Sequence, residues 1–449
     1  MPDPIRSTGT GPAWYYSPDN SCPVSPATVP ANGNSAPLTD LDGPRPGPFG
    51  LTESEAALVN RYAVRLNAVN GLEDQAKAAG LKPDEVKALG DYLFSLPQSD
   101  FARESSLVRD ALKSDNPGRA LGTYVDLIAK RHDAPNRITP EIARDLVMGV
   151  GTSATSTPGG RKGVIGRHQA NQAATTLTEL SDSDYKAITG ALAKTGQGGT
   201  VASSAQNEAA LILKAVAARE NAFADPKSGA ADEVLRFADR IRGKARSFNV
   251  SNTNLLALDN QSYGLQQHWN NSCGPTAAEM LKADTDPIYS LQMNTFDTPH
   301  STKPGVLAFE QGIVLIGNGQ TPGNGGGMNL DPALNSIDEP VTHRKYTPEA
   351  VSSTPQARAA AVDRLESLLD KGIDVPIRVE WANGGGHFQV FSDVQGKAPH
   401  RQFLLNDPSA GVSAWVTETD VATSPNSVFT AKLTTIYPGT EEPRPKSRH

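Results

Sequence analysis

Cysteine is nearly missing from this chain: 449 residues hold two, Cys22 and Cys273. Two thiols are too few for a zinc ribbon, a zinc finger or a disulfide framework, and they form no Cys-x-x-Cys redox pair. Cys22 lies in a Pro- and Ser-rich stretch unsuited to packing, so Cys273 is expected to be a free thiol. Basic charge is not in excess either. The 42 Lys and Arg stand against 49 Asp and Glu, a net charge of −7, which disfavours nucleic acid as a partner. No apolar run approaches the roughly 20 residues of a membrane-spanning helix, so no transmembrane segment is expected. Met1-Pro2-Asp3-Pro4-Ile5-Arg6 lacks the basic and apolar regions of a signal peptide. The chain is therefore expected to be soluble, and cytoplasmic unless a dedicated secretion system exports it. No fixed-period repeat stands out, which disfavours a solenoid. Cofactor and metal signatures are wanting too. Gly317-Asn318-Gly319 does not continue into a dinucleotide loop, and Asp284-Thr285-Asp286 is too sparse for a calcium loop and reads as a helix end.

What is there changes twice along the chain. Residues 1–50 are rich in Pro, Gly, Ser, Asn and Thr; burial there cannot offset the entropy of ordering, so they are expected to be a disordered leader. From Thr52-Glu53-Ser54-Glu55 onward the spacing turns helical. Further helices are predicted around 83–96, 100–113, 118–131, 139–149, 168–194, 203–223 and 230–246, with the Arg and Lys of 236–246 on a solvated face. Residues 51–248 thus read as an all-α module, with a Gly-rich stretch at 151–166 where it could divide into two subdomains. Such a module could recruit a target or partner protein. After about 250, helices are predicted behind Cys273 and from about Pro355 to Asp370. Strands are predicted at Gly312–Ile316, Val375–Glu380, His387–Val394, Gln402–Asn406 and Ser427–Tyr437. Residues 249–438 therefore read as an α+β catalytic domain and 439–449 as a flexible tail.

The chemistry concentrates in that domain. Ser272-Cys273-Gly274-Pro275-Thr276-Ala277 puts a thiol at the mouth of a helix, where the macrodipole favours a thiolate over a thiol of ordinary pKa ~8.5. Pro275 suits the first helical turn, and Gly274 lets a backbone or a substrate come near the sulfur. A cysteine that merely caps a core helix would look the same in isolation. His387 follows Gly384-Gly385-Gly386 and opens an alternating apolar stretch, a good site for a general base at the lip of a cleft. His268 is its rival, being close to Cys273 in sequence. Asp407, between Asn406 and Pro408, would sit where a strand enters a turn and could orient the imidazole; Asn406 could do the same, and Asp-Pro is also an ordinary turn pair. Gln267, six residues before Cys273, could supply an oxyanion-hole amide together with the Cys273 backbone N–H, as could its neighbour Gln266.

Gln267, Cys273-Gly274-Pro275, Gly386-His387-Phe388 and Asn406-Asp407-Pro408, in that order, resemble the papain-like cysteine peptidase clan, and within it the C39-like peptidases. The resemblance covers about residues 255–437. It departs from the family in the long interval between Cys273 and His387, which includes a Gly- and Asn-rich stretch at Gly317–Asn329 that could be a lid, a substrate rim or an insertion. The resemblance implies a papain-like fold and acyl transfer through a thioester, with Cys273 as nucleophile, His387 as acid and base, Asp407 orienting it and Gln267 in the oxyanion hole. No cofactor or metal is implied. The expectation is a cysteine protease acting on a protein or peptide, and the appended leader and helical module would suit a secreted bacterial effector or toxin. The same machinery would serve a glutamine deamidase or a transglutaminase-like enzyme. A papain-like binding protein that has lost activity is the third alternative.

Overall fold

The computed structural model describes residues 53–152, 163–196, 202–225, 227–243, 256, 265–296, 306–324, 328–338, 344–381, 385–409, 411–423 and 432–441. The expected leader with Cys22, most of the 151–166 stretch, and the end of the tail lie outside the described residues. Arg61–His449 forms one compact unit.

Ten helices come first among the described residues. They are α1 Glu53–Ala78, α2 Pro83–Ser95, α3 Gln98–Leu112, α4 Pro117–Asp133, α5 Pro140–Gly151, α6 Arg167–Glu179, α7 Asp182–Leu192, α8 Ala202–Ala218, α9 Glu220–Phe223 and α10 Ala230–Ile241. Local chemistry explains their ends. Thr139 accepts from the Ile142 N–H ahead of Pro140, and Ser181 accepts from the Asp184 N–H. That second cap corrects the single helix expected over 168–194: Leu180 is extended, so α6 stops and α7 starts one turn later. Likewise 203–223 divides at Arg219 into α8 and α9. Apolar side chains such as Leu89, Leu121, Leu146, Val164, Leu213 and Val234 meet in one core, which stabilises each fully buried side chain by about 1.5–3 kcal/mol.

A second group of elements follows. Helices α11 Cys273–Thr285, α12 Pro287–Phe296, α13 Val306–Gly317 and α14 Leu330–Ala333 lead through a π-helical turn to strands β1 Arg344–Tyr346 and β2 Glu349–Ala350. Then come α15 Pro355–Leu369, β3 Val375–Glu380, β4 Gly386–Gln395, β5 Gln402–Asp407, β6 Val412–Thr417, α16 Glu418–Thr423, β7 Lys432–Ile436 and β8 Gly439–Glu441. Six strands form an antiparallel sheet in the order β2-β7-β3-β4-β5-β6, and β1 pairs with β8. The chain is thus mixed: helices first, then helices and an antiparallel sheet. The α15 side chains Val362, Leu365 and Leu369 pack with Ile377, Phe391, Phe403 and Leu405 of the sheet. Phe388 and Val390 of β4 pack instead with Ala277, Met280 and Leu281 of α11. Every residue of α11 except Lys282 is buried, as expected of a central helix. No helix among the described residues is long and apolar enough to cross a membrane.

One predicted strand is wrong. Gly312–Ile316 lies inside helix α13. Its short β-branched run masks a helical period: Leu307, Ala308, Gln311, Val314 and Leu315 are buried, while Phe309, Ile313 and Ile316 are exposed. Only a window over the whole helix reveals this. Strand β6, in turn, had no counterpart in the sequence reading; it forms because Gly411 closes a tight return from β5, pairing Asp407 with Val412.

The two groups of helices are joined by buried charge. Lys214 of α8, almost wholly buried, lies 3.7 Å from Asp284 near the end of α11 and donates to the Val164 carbonyl. Arg219 bridges Glu233 of α10 and Asp286, which follows α11. Arg119 of α4 pairs with the buried Asp393 of β4 at 2.7 Å.

Candidate active site

Cys273 opens α11, with Pro275 in its first turn, and is a free thiol, 7% exposed. Beside Gly274 stand Met328, Phe388 and the Asn329 carbonyl, at ordinary contact distance from where a Cβ would be. The thiol is near enough to the His387 imidazole to be among the groups that raise its pKa. His387 begins β4, 6% exposed, and its Nε2 is 2.7 Å from Asp407 Oδ1 at the end of β5. With Nε2 held by the carboxylate, Nδ1 is the nitrogen left for Cys273. Three residues far apart in sequence are thereby brought near one another.

The carboxylate is densely held. Oδ1 also accepts from the Ser409 N–H at 2.8 Å and the Ser409 hydroxyl at 2.7 Å, and Oδ2 accepts from Gln389 Nε2 at 3.0 Å. Strand alternation puts Gln389, two residues from His387, within reach of the same acid. These partners set the protonation. Burial alone would raise the Asp407 pKa, but the hydrogen bonds from His387 and Ser409 outweigh it and hold the pKa down to about 2. Burial alone would lower the His387 pKa, yet the bonds to Asp407 and Cys273 push it up to about 9. The ring is thus an imidazolium at neutral pH, suited to stabilise a thiolate.

Trp381, just after β3, stacks on the His387 ring with centroids 5.7 Å apart and planes 17° apart. A glycine makes this possible. Gly385 has φ +88°, and a Cβ there would press within 3.4 Å of the indole.

The remaining sequence candidates separate. Asn406 points away from the imidazole. Its amide donates to Ser392 and to the Val390 carbonyl and accepts from Ser413, so it ties three strands together. His268 is exposed and packs edge-on against Trp269, with no bond to Cys273 among the described residues. Gln266 spends its side-chain amide on the Ser409 carbonyl. Gln267 lies beside the Asp407 turn, its N–H donating to the Pro408 carbonyl at 2.8 Å, and its buried Oε1 has no hydrogen-bond partner among the described residues. The opposing turn needs Gly411, whose φ is +60° and where a Cβ would come within 3.3 Å of Gln266. In the Gly317–Asn329 stretch, Asn271 donates to the Thr321 carbonyl and accepts from the Gly323 N–H. Its described part therefore flanks the loop before Cys273; residues 325–327 lie outside the described residues.

Sequence reasoning passed over Gln389, Ser409, Trp381 and Gln311. Alternation from His387 could have found the first. Ser409 could have been found as the i+2 partner of Asp407 in an Asp-Pro turn, whereas Trp381 and Gln311 carried no local signal because their partners lie elsewhere in the folded chain. Comparison with protein-family models, curated proteins and solved structures returns no match for this chain.

Proposed function

We propose that the protein is a cysteine-nucleophile hydrolase of papain-like fold, acting on peptide bonds through Cys273, His387 and Asp407. The observation that carries this reading is the His387–Asp407 hydrogen bond at 2.7 Å beside a buried free thiol at the mouth of α11.

The chemistry follows from that order. Cys273 Sγ, a thiolate beside the protonated His387, attacks the carbonyl carbon of the substrate. The carbonyl π pair moves to oxygen, where the Cys273 backbone N–H and the Gln267 amide offer hydrogen bonds. Collapse breaks the C–N bond, and the leaving amine takes the proton from His387. Water then gives a proton back to His387 and attacks the thioester. The C–S bond breaks, releasing the acid and restoring the thiolate beside the imidazolium. Asp407 keeps the ring in one tautomer and orientation throughout.

The test is alkylation and turnover. Cys273 should react with iodoacetamide at mildly acidic pH faster than N-acetylcysteine does, and Cys273→Ala should lose peptide cleavage while melting at nearly the same temperature. Cleavage that survives Cys273→Ala sinks the reading. Intact target chains with glutamine converted to glutamate would instead indicate deamidation by the same residues.

A further inference from the structure

We infer that Gln311 is the positioning residue of the oxyanion pocket, an inference that rests on the hydrolase reading above. Gln311 sits at the centre of α13 with no exposed surface. One end of its amide, Oε1, accepts from the His268 N–H at 2.9 Å and from the Ser272 hydroxyl at 2.8 Å. The other end, Nε2, donates to Glu279 Oε2 at 2.8 Å and to the Gln266 carbonyl at 3.3 Å. Ser272 Oγ also lies 3.0 Å from the Trp269 carbonyl oxygen, which competes for its one proton, but the other three bonds do not depend on it.

Gln266 and His268 are the residues on either side of Gln267, and one buried amide grips both. The Gln267 N–H is taken by Pro408. The backbone of the oxyanion candidate is therefore clamped before, at and after the residue, to α13 on one side and to the Asp407 turn on the other. Ser272 and Glu279 add the two ends of the clamp that belong to the nucleophile: the residue before Cys273, and a buried side chain lower on α11. Gln311 thus hydrogen-bonds both Gln267 flanks, the residue before Cys273 and α11. An amide suits the place, because donors arrive at one end and acceptors at the other. A carboxylate or an alkyl group leaves buried partners unmet.

The prediction separates two reactions of one thiol. Alkylation by iodoacetamide needs the thiolate but forms no oxyanion; acylation by p-nitrophenyl acetate passes through a tetrahedral oxyanion. In Gln311→Leu and Gln311→Glu, acylation should fall about tenfold or more, while alkylation and its pH profile stay within about twofold. The swap Glu279→Gln with Gln311→Glu restores a donor–acceptor pair between the two side chains and should acylate faster than either Gln311 variant. The swap also serves as the test should Gln311→Leu not fold. Parallel loss of alkylation and acylation, unchanged acylation, or a swap no better than Gln311→Glu overturns the inference. A wild-type Cys273 that neither alkylates nor acylates faster than N-acetylcysteine would fail the hydrolase reading itself, before any variant is made.

Discussion

Two carboxylates, the buried Glu104 among the first helices and the half-buried Asp407 in the sheet, solve the same problem differently. Glu104 of α3 is met at both oxygens by Arg131 of α4, at 2.6 and 2.8 Å, and by the Tyr124 hydroxyl at 2.7 Å. Its burial would raise the pKa, but those bonds lower it. Arg103 Nε adds a longer contact at 3.4 Å, and forks of N–H groups facing a carboxylate have no second nitrogen to offer to chemistry. Asp407 is as crowded, yet one of its donors is an imidazole with a second nitrogen, and that nitrogen faces a thiol. A buried acid paired with arginine locks a fold. Paired with histidine, it transmits its charge to a third group.

Substitutions can break this comparison at either end. Asp407→Asn should lower turnover by about 10³-fold or more, because the imidazole loses its orienting charge. The alkaline limit of turnover should also move down, since the bond that raises the His387 pKa is weakened and the leaving amine needs the His387 proton; an unmoved limit would separate Asp407 from the site. Glu104→Ala should leave the site chemistry of the folded protein intact but cost about 3–5 kcal/mol of stability, because Arg131 stays buried without its partner. Denaturant unfolding followed beside alkylation measures both.

Proton linkage should sharpen the contrast. The His387 pKa is raised, from 6.5 to about 9, so its stabilisation is full below pH 6.5 and fades as pH rises through about 9. The Asp407 pKa is lowered, from 3.8 to about 2, so its stabilisation is full above pH 3.8 and fades as pH falls through about 2. Melting against pH should show this pair contributing most between those limits, on the order of 1.5–3 kcal/mol for a charged hydrogen bond. The Glu104–Arg131 pair should be lost only on the acid side, since arginine keeps its proton. The difference between wild type and Asp407→Asn should therefore shrink above pH 9; the difference between wild type and Glu104→Ala should not. The smallest effect is Trp381→Ala. Losing one ring stacked on His387 should cost about 0.5–1.5 kcal/mol, a several-fold change in turnover, with a downward shift in the alkaline limit of turnover.

Legibility in the sequence followed the range of the signal. The Cys273 helix announced itself within a few residues, because Cys-Gly-Pro followed by Ala-Ala-Glu-Met-Leu satisfies cap, first turn and propagation locally. Strands β3, β4 and β5 were legible from alternation, and so was the placing of His387 and Asp407 at strand ends. Helix α13 was misread, because five apolar residues cannot distinguish a strand from one face of a helix. Asn406 and Asp407 were interchangeable in sequence. Strand pairing separates them, sending Asn406 to Ser392 and Ser413 and Asp407 to His387.

The sequence by itself determined which chemistry the chain could hold: a lone helix-mouth thiol, a glycine-preceded histidine and an acid at a turn, each written in a few neighbouring residues. It also determined the change from helical to mixed architecture, because side-chain periodicity is local. Tertiary structure alone decided which acid serves the imidazole, which glutamine is left near the turn, and that Gln311 holds the loop before Cys273. Hydrogen bonds between residues 18 to 45 positions apart depend on how strands register and helices cross, and no short window of sequence encodes those distances.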